Sequence, residues 1–101
     1  MPKLYEYFGL VVFFFANDHE PIHVHGRYQA AEMKAELIIE NGKVVEIRIK
    51  HLKGKKPLPK SQLSDFRKLV ASHADEIVQK WVDFFVMGKQ IKSKTIKQKL
   101  K

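Results

Sequence analysis

Three of the chain's five histidines, His19, His23 and His25, fall within seven positions of the stretch FFFANDHEPIHVHGRY, beside Asp18 and Glu20. Imidazole is the commonest metal ligand and the side chain whose charge changes near neutrality, so the cluster opens three readings. The first is a metal site. On a strand, His23 and His25 leave the same face with Cα atoms about 6.5 Å apart, and their rings can converge on one ion. A divalent metal such as zinc would need a third ligand from the turn, so the candidate set is Asp18, His19, His23 and His25. The second reading needs no metal. A carboxylate beside a histidine orients it and raises its pKa, which suits general acid–base chemistry. With Arg27 and Tyr28 to hold an anion, His19, His23 and His25 become candidate catalytic residues for phosphodiester cleavage. In the third reading the histidines close a hairpin end and do no chemistry. His73 lies on an apolar helical stripe and reads as a satisfied core residue; His51, among lysines, reads as surface or anion-facing.

Composition narrows the chemistry. The chain has 101 residues, enough for a single domain with one core. It has no cysteine, which excludes disulfides, cysteine-ligated zinc and thiolate catalysis and fits a cytoplasmic setting. The opening MPKLYEYFG lacks the pattern of a signal peptide, and the apolar run from 9 to 16 is too short to span a bilayer, so no membrane role is expected. The net charge of +8 is unevenly spread. Residues 1–49 carry −2, residues 50–88 carry +4, and the tail 89–101 has six lysines and no acid. Basic blocks attract polyanions, chiefly RNA or DNA, through counterion release. Arg27, Lys53, Lys55, Lys56 and Lys60 are the candidate nucleic-acid-binding residues. The plain alternative is a solvated face with a lysine tail that aids solubility.

The elements that must position these residues read as α+β. GLVVFFF predicts a buried strand over Phe8 to Phe15, and IHVHGRY a second strand antiparallel to it across a loop in which Asn17 and Asp18 close a turn. AAEMKAELIIE alternates, Met33, Ala35 and Leu37 against Glu32, Lys34 and Glu36. Asn41-Gly42 then gives the strongest hairpin signal in the chain, and KVVEIRIK returns with Val45, Ile47 and Ile49 on the core face. The loop HLKGKKPLPK follows. Leu63, Phe66, Val70, His73, Ile77, Trp81 and Phe84 then recur at helical spacing, with a break possible near Ser72, where Asp75 or Glu76 could cap a second helix. The expected fold is a mostly antiparallel sheet of about four strands with one long or broken C-terminal helix on one face. The domain spans 1–88, and the tail 89–101 is expected to be disordered.

The run PKLYEYFGLVVFFFANDHEPIHVHGRY resembles a family of small bacterial proteins, domain of unknown function 4160. The resemblance rests on Tyr7, Phe8 and Gly9, then Asn17, Asp18, His19, Pro21, His23, His25 and Tyr28, and extends through LPKSQLSDFRKLVASHADEIVQKW to Trp81. It covers residues 2 to about 85. Family members often sit beside a second small protein, of the family domain of unknown function 2442, and have been regarded as parts of toxin–antitoxin-like modules. The resemblance therefore implies a cognate small protein partner and strengthens RNA or DNA as ligand, but it brings no established activity and no known catalytic residue. Three functions stay open: a nucleic-acid-directed module component such as a ribonuclease; a metal-binding domain; and a non-catalytic interaction protein. Oligomeric state is not legible.

Overall fold

The computed structural model describes residues 2–100. Six strands form one sheet: β1 (Lys3–Tyr7), β2 (Leu10–Phe13), β3 (His23–Tyr28), β4 (Ala31–Glu40), β5 (Lys43–His51) and β6 (Lys94–Ile96), in spatial order β5-β4-β3-β2-β1-β6. The first five pair antiparallel, and β6 lies parallel to β1, so the sheet is mixed. Two helices follow β5: α1 (Lys60–Ser72) and α2 (Ala74–Trp81), the latter running into a single π-turn over Val82–Val86.

The fold is thus α+β as expected, with a difference in the sheet. It has six strands, not about four, while the helix takes its broken form, two helices rather than one long one. The strand expected over Phe8 to Phe15 is shorter because Phe8 (φ 46°) and Gly9 (φ 89°) form a tight turn that folds β1 back onto β2. An extended strand cannot pass through two such left-handed residues. The sixth strand comes from the segment 89–101, expected to be disordered; Tyr5, Glu6 and Tyr7 pair with Lys94, Thr95 and Ile96, and Lys99 sits over the Phe8 ring at 4.0 Å. The helical pattern breaks at His73 (φ −117°, ψ 18°). No side chain caps α2; Glu76 accepts a hydrogen bond from the Tyr5 hydroxyl instead. His73 donates from Nδ1 to the Leu69 carbonyl at 3.0 Å and packs on Tyr5, the satisfied role its position on the stripe predicts.

The Asn41-Gly42 hairpin forms as predicted, with φ of 51° and 78° and Glu40 opposite Lys43. Its register then slips. Ile38 pairs with Glu46 and Ile39 with Val44, leaving Val45 as an extra residue in a β-bulge. The slip turns Val45 outward, 54% exposed, and Val44 packs against the core in its place, correcting the expected face. Ile47 and Ile49 keep their predicted side.

The helices cover the sheet face that carries Tyr5, Val12, Val24, Gly26 and Ala35. Phe66, Leu69, Val70, Ile77 and Trp81 fill the layer between, and each large apolar side chain so buried stabilises by about 1.5–3 kcal/mol. Gly26 matters here: a Cβ at that position would lie 2.7 Å from the Phe66 ring, so only glycine lets α1 sit so close to β3. Because strand side chains alternate, His23, His25 and Arg27 point to the opposite face. No helix among the described residues is long and apolar enough to cross a membrane.

Candidate metal centre

On that opposite face the strand register sets His23 against Glu36, His25 against Lys34 and Arg27 against Glu32. The β2–β3 loop folds over the first two rows. Its turn is closed twice, by the Asp18 amide donating to the Phe15 carbonyl (3.0 Å) and the Phe15 amide donating to Asp18 Oδ2 (2.8 Å). That turn, the one expected of Asn17 and Asp18, carries the Asp18 carboxylate back over β3.

The result is a tight trio. His23 Nε2 lies 3.3 Å from Asp18 Oδ1, and His25 Nε2 lies 3.4 Å from Asp18 Oδ2. One donor atom from each of the three residues falls within 4.8 Å of the others.

The far side of each ring faces an acceptor, hydrogen-bonded for His23 and only approached for His25. His23 Nδ1 donates to the Pro21 carbonyl at 2.8 Å, which turns Nε2 toward Asp18. His25 Nδ1 lies 3.6 Å from Glu32 Oε2, and Arg27 grips the other Glu32 oxygen at 2.9 and 3.0 Å. Metal-binding histidines are typically oriented in this way, by a carbonyl or carboxylate on the second nitrogen. Packing restricts the rings further. His25 stacks on Phe13 at 5.3 Å and meets the edge of Phe15 at 4.5 Å, and His23 contacts Trp81 at 5.5 Å.

Burial makes His25 informative. Its side chain is 7% exposed, and neither ring nitrogen has a hydrogen-bond partner. Buried polar groups are rarely left so, because each costs about 1–3 kcal/mol. Burial pushes the His25 pKa down, against the opposing pull of the Asp18 and Glu32 carboxylates, so the ring is neutral at pH 7 and its lone pair is available. The trio opens on a cleft of about 390 Å³ lined by Asn17, His19, Glu20, Lys34, Glu36 and Leu52 as well as the three residues themselves.

The sequence candidates therefore separate. Asp18, His23 and His25 come together, while His19 is exposed on the cleft wall outside the trio. Arg27 is engaged with Glu32 and lies over the Phe13 ring at 4.8 Å. Lys53, Lys55, Lys56 and Lys60 are exposed along and after the loop that follows Leu52, and His51 is exposed beside them. Sequence reasoning missed Glu32 and Lys34 as neighbours of the site. Their alternation on β4 was visible, but which rows of β3 they would oppose depends on the register of the Gln29-Ala30 turn.

No curated protein and no solved structure matches the chain. The family model described as "Domain of unknown function (DUF4160)" matches residues 9–82, which hold the whole trio, its two supporting partners and both helices. The chain belongs to that family.

Proposed function

We propose that this protein is a metal-binding domain in which Asp18, His23 and His25 hold a first-row divalent ion and leave a coordination position open to the cleft. The observation that carries the reading is the arrangement of both histidines, each with Nδ1 turned to a carbonyl or carboxylate and Nε2 turned to one shared carboxylate. Imidazole and carboxylate donors suit zinc, iron and their neighbours. Three protein ligands with an open position characterise catalytic rather than structural sites, and such an ion activates bound water as a nucleophile near neutral pH.

The metal-free ribonuclease reading has less support. An acid–base pair must exchange protons with substrate, yet His23 Nδ1 is committed to Pro21, His25 is buried and held neutral, and His19 stands apart.

The test is metal uptake by protein purified without a histidine tag. Zinc titrated calorimetrically into stripped protein is expected to bind at one ion per chain. Asp18→Ala, His23→Ala and His25→Ala should each abolish uptake, and His19→Ala should retain it. Absence of binding, or binding that survives His25→Ala, overturns the proposal.

A further inference from the structure

Two lysines stand opposite one another beside the cleft. Lys34 on β4 and Lys50 on β5 are register partners on the same sheet face as the histidines. Like charges directly opposite on a sheet destabilise it, so the pairing has to be offset. The offset is incomplete. Glu36 is shared between them, with Lys50 Nζ at 2.9 Å from one oxygen and Lys34 Nζ at 3.6 Å from the other, too long for a hydrogen bond. Arg48, the cross-strand partner of Glu36, is held by Glu46 at 2.8 Å. Two ammonium groups thus face a single carboxylate, and Lys34 lies in the cleft wall with the trio.

The charge of the cleft depends on the metal. Its wall carries Asp18, Glu20 and Glu36 against Lys34, so without an ion it repels anions. A divalent ion cancels that excess of negative charge and places the largest local charge of the site beside Lys34. Leu52 closes one side of the cleft, and the exposed Lys53, Lys55 and Lys56 follow it directly. Exposed cations that follow a cleft residue directly in sequence suit a ligand with repeating negative charges.

Resting on the metal site proposed above, we infer that the cleft takes a phosphodiester of a single nucleic-acid strand. One phosphate oxygen occupies the open metal position, and Lys34, backed by Lys50, holds another. Neighbouring phosphates run along Lys53, Lys55 and Lys56. Phosphate contacts of this kind position a strand without reading its sequence.

Fluorescence anisotropy with a labelled eight-nucleotide single-stranded RNA tests this, alongside calorimetry that reads zinc stoichiometry separately. Zinc-loaded protein should bind the RNA at least about tenfold more tightly than stripped protein, and Lys34→Gln should lose about that factor while taking up zinc normally. Replacing Lys53, Lys55 and Lys56 by Gln should flatten the salt dependence by about two in log–log slope, the expectation for three single-strand phosphate contacts. RNA binding indifferent to zinc or to Lys34→Gln, with one zinc bound, overturns the inference and leaves the metal site standing. Absence of zinc uptake overturns both. Complete displacement by equimolar inorganic phosphate would assign a site for free phosphate and overturn the strand.

Discussion

Glu32 stands behind His25 as a carboxylate fixed by Arg27: its Oε1 is held at 2.9 Å, and its Oε2 lies 3.6 Å from His25 Nδ1. Glu32 is itself buried, 2% exposed. It touches no proposed ligand position, so its effect on a metal would be exerted through the ring it orients. Glu32→Gln is expected to weaken zinc affinity by about 10–100-fold with stoichiometry unchanged, which calorimetry reads directly. An unchanged affinity would mean that His25 needs no orienting partner.

His25 offers a sharper separation of function from architecture. In stripped protein its two nitrogens are buried without hydrogen bonds among aromatic rings. Replacing such a group by an apolar side chain is neutral or stabilising, whereas removing a satisfied one is costly. His25→Leu should therefore melt no lower than the stripped parent and gain nothing from zinc. The parent should gain about 2.7 kcal/mol at a hundredfold excess of zinc over Kd. A variant that melts well below the stripped parent would mark His25 as structural.

The approach of α1 to β3 at Gly26 sets a third expectation. A methyl group there meets the Phe66 ring at 2.7 Å. Gly26→Ala should cost about 1–3 kcal/mol in chemical denaturation, the usual range for overpacking. Gly26→Ala with Phe66→Leu should recover part of that loss, since the two changes share one contact.

The Tyr5–Glu76 hydrogen bond makes stability depend on pH at both ends. Burial, reinforced by Glu76, raises the Tyr5 pKa well above its ordinary value, and the Tyr5 hydroxyl lowers that of Glu76. For Glu76 the depressed folded value means a contribution present above the ordinary carboxylate range and lost as pH falls through it. For Tyr5 the raised folded value means a contribution present below about pH 10 and lost as pH climbs beyond. Tyr5→Phe should cost about 1 kcal/mol at pH 7, discounted because Glu76 is exposed. The gap between parent and variant in melting curves should narrow toward pH 3.

Removal of residues 89–101 distinguishes a strand from a solubilising tail. Truncation takes away β6, the Leu100 amide that donates to the Tyr7 hydroxyl at 2.9 Å and the Lys99–Phe8 contact, leaving β1 as the sheet edge. A lower melting temperature is expected. No change would place the segment outside the cooperative fold.

The parts of this molecule legible in the sequence are those set by short-range rules. Asn41-Gly42 specifies its turn by backbone conformation alone, and the alternation of β4 follows from period two. The same holds for Asp18, His23 and His25, because a strand spacing and a turn residue suffice to bring them near one another. What was not legible depends on partners distant in the chain. Lys94–Ile96 is three residues long in a lysine-rich tail and becomes a strand only beside β1, some ninety residues earlier. Phe8 reads as a strand residue until its left-handed φ is seen, and Val45 reads as core until the register slips. Glu32 and Lys34 join the site through pairing with β3, which no local pattern announces.

The bulge at Val45 has a consequence for the company this protein keeps. β5 is nine residues long and lies at an edge of the sheet, where a straight strand would offer its backbone donors and acceptors to any other extended chain. An extra residue near its start breaks the regular spacing of those groups, and Lys43, Arg48 and Lys50 along it place charge in the path of an approaching copy. Bulges and edge lysines are recurrent guards against edge-to-edge polymerisation. The residue that spoils the hairpin's alternation thus also interrupts the edge along which another extended chain would have to pair.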